Sequence, residues 1–190
     1  VLSYIDVLKD RVPVGQRVAI IGAGGIGFDT TEYLSHAGES ASLNTDKFYD
    51  EWGIDTSYAH VGGLKEPVLE QSEREIYLLQ RKANSVGAGL GKTTGWIHRT
   101  GLKHRHVNMI PGVSYEKIDD QGLHILINGQ PKLLEVDHIV ICAGQEPFTA
   151  MYQQLQSAGQ TVHLIGGALE AGELDAKRAI RQGAELAAKI

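Results

Sequence analysis

This chain of 190 residues is poor in cysteine, proline, methionine and phenylalanine, with one, five, two and three respectively. Cys142 alone can close no internal disulfide, and it cannot by itself hold an iron–sulfur cluster. There is no excess of positive charge: the formal net charge is −5, which argues against nucleic acid as a partner. No apolar run is long enough to span a bilayer and no signal peptide opens the chain, so the expected location is cytoplasmic, away from membranes. The content is otherwise that of a folded domain, with 42% apolar and 22% charged residues. Residue 1 is Val rather than Met, and the first motif follows almost at once. The chain therefore reads as an excised part of a longer protein.

That first motif organises everything else. Val18-Ala19-Ile20-Ile21 is a short apolar, β-branched run of the kind found in buried parallel strands. Gly22-Ala23-Gly24-Gly25-Ile26-Gly27 follows, and then a helical pattern from Phe28 to Leu34. The glycines at 22, 24 and 27 have G-x-G-x-x-G spacing between strand and helix, the context this dinucleotide-binding fingerprint requires. Gly22 permits the tight turn, Gly24 lets backbone approach a pyrophosphate, and Gly27 lets helix and strand pack closely. The helix N-terminus offers amide donors and partial positive charge to the phosphates. The alternative is a glycine-rich turn that binds nothing.

Residues 1–15 suggest a short connector helix on the surface, punctuated by Pro13 and Gly15. After the fingerprint helix stops near Ala37-Gly38, residues 39–74 read as an insertion with little regular structure. The second strand, Ile76 to Gln80, runs into Arg81 and Lys82. An NAD-binding fold ends this strand in an acid that bonds the ribose 2′-hydroxyl. Two cations there favour a 2′-phosphate and hence NADP; the alternative is a solvated basic pair.

Gly87-Ala88-Gly89-Leu90-Gly91-Lys92-Thr93 resembles an ATPase phosphate loop but misses it by one residue, because Val86 stands where the first glycine belongs. A loop shaped for cofactor or partner contact is the better reading, followed by a helix from Thr94 to His106. His98, His104 and His106, interleaved with Arg99, Lys103 and Arg105, read as a solvated basic face rather than a metal site.

From Val107 to Val136 the pattern is a β-meander rather than a further βαβ unit, with Asn128-Gly129 as its hairpin turn. A buried strand from His138 ends at Ala143-Gly144, where small residues suit a cofactor edge; Gln145-Glu146-Pro147 stops it, and Cys142 reads as a buried thiol. Beyond Pro147 come a helix (Met151–Ser157), a strand (Thr161–Ile165) ending in Gly166-Gly167, and a closing helix from Leu174 with Ala179, Ile180 and Leu186 on its buried side. These patterns predict an α/β chain. It has a Rossmann-like nucleotide-binding domain over 16–147 and a separate C-terminal piece over 148–190.

The order of elements resembles the pyridine-nucleotide domain of two-dinucleotide flavoprotein reductases. Several stretches resemble the bacterial NADPH-dependent 2,4-dienoyl-CoA reductases more closely. They are the fingerprint, Leu79-Gln80-Arg81-Lys82, Gly89 to Arg99, Met109 to Tyr115, and Val140 to Pro147. The resemblance implies that Gly22, Ala23, Gly24, Gly25, Ile26, Gly27, Arg81, Lys82, Ala143, Gly144 and Gln145 hold NADPH. It also implies that Gly166, Gly167 and Leu174 line FAD in the intact enzyme, so that 148–190 is the C-terminal part of an FAD domain. Family members carry FMN in an N-terminal barrel beside a [4Fe–4S] cluster, and electrons pass from NADPH through FAD and the cluster to FMN and dienoyl-CoA in unsaturated fatty acid β-oxidation. This chain lacks the barrel, the cluster cysteines and the first FAD fingerprint. On this reading its partner is the rest of the same polypeptide, no catalytic residue lies within it, and the fragment alone is inactive. The competing expectations are a related flavoprotein with another substrate and a non-catalytic nucleotide-binding module.

Overall fold

The computed structural model describes residues 1–172 and 175–190 in two compact units, 1–143 and 144–190. In the first unit β1 (Leu2–Ser3), β2 (Arg17–Ile21), β3 (Glu75–Leu79), β4 (Asn108–Ile110) and β8 (His138–Ile141) form one sheet in the order β1-β8-β2-β3-β4. Every pairing in it is parallel, with Ile20 opposite both Leu78 and Val140. Helices α1 (Tyr4–Leu8), α2 (Gly25–Ser35), α3 (Thr45–Glu51) and α4 (Gly95–His104) belong to the same unit.

Both faces of the parallel sheet are covered, and the sequence shows why. Val18, Ile20, Ile76, Leu78 and Val140 point to one side, where Phe28 and Leu34 of α2 and Leu102 of α4 pack on them. The intervening Ala19, Leu79 and Ile139 point to the other side. There they meet Val113, Leu123, Ile125 and Leu134 of a three-stranded antiparallel sheet. That sheet is β5 (Val113–Asp119), β6 (Gly122–Ile127) and β7 (Gln130–Leu134). A strand buried on two faces has to be apolar at successive positions, which accounts for the unbroken run in β2. Asn128 and Gly129, both at positive φ, make the tight turn between β6 and β7.

Four expectations are corrected in this unit. The opening segment is not a surface connector: β1 pairs with β8, and Val7 of α1 is 1% exposed in the core. Val107 to Ile110 does not begin the meander, because β4 pairs parallel with β3 across α4, making the βαβ unit that the turn-rich sequence obscured. The 39–74 insertion carries α3, capped at Asn44, together with two 3₁₀ turns. The stretch around His98–His106 is not simply a solvated face. Arg105 is buried and pairs with Glu51 at 3.2 Å, His98 meets Glu32 at 3.3 Å, and Trp52 lies edge-on to Trp96 and beside His104.

The second unit holds α5 (Ala150–Ser157), a 3₁₀ turn at Gly166–Ala168 and α6 (Ala176–Ala187), which is capped by Asp175. Thr161–Ile165 is not a strand, since it has no neighbour to pair with among the described residues. Ile180, expected to be buried, is 71% exposed. Gln182 accepts a hydrogen bond from the Gly166 amide at 2.6 Å, and Arg178 clasps Glu170, so polar contacts hold α6 to the turn. Among the described residues no helix is long and apolar enough to cross a membrane.

Candidate nucleotide-binding site

The site is assembled where β2, β3 and β8 end together. Ile21 is in register with both Leu79 and Ile141, so Gly22, Gln80 and Cys142 leave the sheet at one edge. Ligands of open parallel sheets bind at this carboxyl edge.

The turn itself explains its glycines. Gly22 has φ +108°, and its amide donates to the Leu79 carbonyl at 3.1 Å. A Cβ on it would lie 2.9 Å from the Cys142 carbonyl and 3.0 Å from the Ala143 side chain, so Ala143 stands against the fingerprint. At Gly27 a Cβ would come within 1.8 Å of the Gly22 oxygen, and only glycine lets α2 start this close to the turn. Gly24 differs from both. It is the N-cap of α2, provides no side-chain cap, and has nothing within 4 Å of the position a Cβ would take. Gly25 is likewise open. Ala23 and Ile26 pack their side chains on the core below. The cradle above Gly24 faces the first-turn amides of α2, which have no intrahelical acceptor. Its space, donors and dipole suit a pyrophosphate.

Beneath the cradle the polar groups are satisfied internally. Thr30 and Thr31 are fully buried and donate to the Ile26 and Gly27 carbonyls at 2.7 and 2.6 Å. The Cys142 thiol is buried and donates to Thr30 at 3.6 Å, and burial pushes its pKa up.

On the β3 side, Arg81 and Lys82 are exposed just past the strand, and no acid stands between Leu79 and Lys82. Burial raises the pKa of the Tyr115 hydroxyl, while the charge of Arg81 works to lower it. Sequence reasoning passed over Gln80. Its side-chain amide donates toward the Lys82 carbonyl (2.9 Å) and to the carbonyl and side chain of Asn84 (2.8 and 3.0 Å), and its oxygen accepts from the Gly87 amide (3.3 Å). Its signal was the absence of an acid at the strand end.

The structure thus brings the fingerprint, Arg81, Lys82 and Ala143 to one edge of one unit. Gly144 and Gln145 open the second unit, where Gly144 has φ +84°. Gly166 and Gly167 lie in its 3₁₀ turn, and Leu174 is outside the described residues.

The sequence pattern of the family described as pyridine nucleotide-disulphide oxidoreductase matches residues 5–168. The chain belongs to that family. The oxidoreductase domain is 27% identical over 170 residues to a metal reductase of Desulforamulus reducens, covering 90% of this chain and 24% of that protein. Among solved structures, it superposes on a 2-naphthoyl-CoA reductase with a TM-score of 0.64 at 19% identity, covering all of this chain and 24% of the other. For a histamine dehydrogenase from Rhizobium sp. 4-9 the TM-score is 0.66 at 13% identity, over 98% of this chain and 25% of the other. At such identities the likeness is one of fold. The oxidoreductase domain spans about a quarter of the length of these relatives.

Proposed function

We propose that this chain is the NADPH-binding part of a multi-cofactor flavoprotein reductase acting on 2,4-dienoyl-CoA thioesters. The observation that carries the cofactor assignment is the pair Arg81–Lys82 at the end of β3, the strand beside the fingerprint strand, where an NAD site would carry an acid. Gly24 and the α2 amides take the pyrophosphate, and Arg81 with Lys82 takes the adenosine 2′-phosphate. Ala143, with Gly144 and Gln145 next in the chain, stays with the nucleotide. NADPH, when bound, supplies a hydride to a flavin; the chain's own part is to hold and orient the nucleotide. The substrate assignment rests on the motif resemblance. It is compatible with a fold shared with a reductase that itself acts on a CoA thioester.

FAD, FMN and the [4Fe–4S] cluster belong, on this reading, to the remainder of a cytoplasmic polypeptide, with Gly166 and Gly167 on the FAD side. The second unit supports its assignment to a larger FAD domain, because it exposes Phe148, Met151 and Ile180 and buries no large apolar side chain among its described residues. The 27% identity to a metal reductase over nine-tenths of the chain favours a second reading, the same domain serving a different electron acceptor. Turnover of dienoyl-CoA by the full-length protein decides between them.

The cofactor assignment is tested by titrating NADPH and NADH into the wild-type chain and Arg81→Ala. NADPH affinity is expected to fall about tenfold, the value of one exposed charge-assisted bond, with NADH unchanged. Equal weakening of both nucleotides would remove the basis for NADPH.

A further inference from the structure

We propose that Gln80 is a positioning residue for nucleotide selection, holding the loop that presents Arg81. The inference rests on the NADPH reading above and extends it to a residue that itself carries no charge.

The backbone of Gln80 is fixed on both sides: its amide donates to Ile110 at 2.9 Å, and its carbonyl accepts from Val113 at 3.0 Å. Its side chain then turns along the loop that leaves the sheet. The amide nitrogen meets three oxygens, those of Lys82, Asn84 and the Asn84 side chain, while the amide oxygen takes the Gly87 N–H. One planar group therefore reads both ends of the 82–87 segment. The far end is pinned a second time. Arg99 donates to the Gly87 carbonyl at 2.9 Å, and the Phe28 ring lies so close that a Cβ on Gly87 would be 2.6 Å from it. Arg81 sits between Gln80, whose backbone is fixed, and Lys82, whose carbonyl the Gln80 side chain holds, so its backbone starts from a fixed point although its side chain is in solvent.

An acid at position 80 would break these contacts. A carboxylate would direct two acceptors at three oxygens and lose both donors. The same carboxylate is what an NAD site uses at this strand end for the ribose 2′-hydroxyl. Gln80 thus acts twice: its amide orders the loop, and its neutrality leaves the phosphate side to Arg81.

The test uses the whole chain with NADPH and NADH as probes. Gln80→Met keeps the side chain's length without the hydrogen bonds, and Gln80→Glu adds the charge. Both should lower the ratio of NADPH to NADH affinity, Gln80→Glu by about tenfold or more. Amides 82–88 should exchange hydrogen faster in Gln80→Met while the rest of the sheet keeps its protection. If Gln80 acts through Arg81, adding Gln80→Met to Arg81→Ala should change the ratio no further. Thermal unfolding is followed in parallel, and Gln80→Met carries the test if the charge of Gln80→Glu costs the fold. Variants that discriminate as well as a discriminating wild type, or effects that add fully to Arg81→Ala, overturn this inference alone. A wild-type chain that binds neither nucleotide overturns the proposed function and this inference with it.

Discussion

Gly22–Gly27 and Gly87–Gly95 are the two glycine-rich stretches of the first unit, and they put the same residue to opposite uses. In the first, two glycines are jammed against backbone so that a third, Gly24, can stay open beneath unclaimed helix amides. In the second, several amides are spent on the loop itself. Gly87 N–H goes to Gln80, Ala88 N–H to Ser85, Leu90 N–H to Gly87, and Thr94 and Gly95 N–H both to Gly91. Donors bonded in this way are not free for a phosphate. That is the physical counterpart of its one-residue miss from the ATPase motif. Glycine count is thus a poor guide to phosphate binding; what distinguishes the two loops is where the N–H groups point.

Four substitutions sharpen or break this contrast. Gly27→Ala should have the largest effect, about 3 kcal/mol of destabilisation read by urea unfolding, because its Cβ would collide with the rigid Gly22 carbonyl. A near-neutral result would mean that α2 can slide away from the turn. Gly24→Ala places a methyl in the open cradle. Stability should change by less than about 1 kcal/mol, while affinity for both nucleotides drops about tenfold or more, since the methyl occupies the pyrophosphate's approach. Undiminished binding would locate the phosphates elsewhere. Gly87→Ala combines φ +76° with a clash on the Phe28 ring and should cost about 1–2 kcal/mol, its effect on affinity following loop order rather than phosphate contact. Gly89→Ala meets nothing within 4 Å and has no positive φ, so both stability and affinity should stay within about 0.5 kcal/mol of wild type. A large affinity loss there would return the second loop to consideration as a phosphate site.

What could be read from the residues follows the range of the interactions. The fingerprint turn is legible because its strand, glycines and helix are contiguous, and the N-cap position of Gly24 follows from local spacing. The Asn128-Gly129 hairpin is legible for the same reason. The partner of β1 is not, because two residues, Leu2 and Ser3, gain strand character only from β8 some 138 residues later in the chain. The place of β4 is not legible either, because three residues beside turn-forming Pro111 and Gly112 carry no periodicity of their own; their pairing with β3 decides. The burial of Arg105 is hidden in the sequence because its neutralising partner, Glu51, lies in an insertion whose own helix is only seven residues long. Ile180 fits an amphipathic stripe, yet polar bonds from Gln182 and Arg178 orient that helix. At the site, Arg81 and Lys82 were legible as an absent acid. The bonds of Gln80 run mostly to backbone groups, which no side-chain pattern reports.

The strand order has a consequence for how the chain is made. β8 lies between β1 and β2, so the slot beside the fingerprint strand is filled by the last strand of the sheet to be translated. A nascent chain that has emerged only through β7 can pair β2 with β3 and β4 and can form the hairpins, but β1 has no neighbour and one edge of β2 is bare. Until Ile141 leaves the ribosome, that edge is an open template of the kind that recruits other extended segments. Arrest of translation with residue 138 still inside the exit tunnel should therefore leave the nascent chain dependent on chaperone binding, and emergence of β8 should end that dependence abruptly.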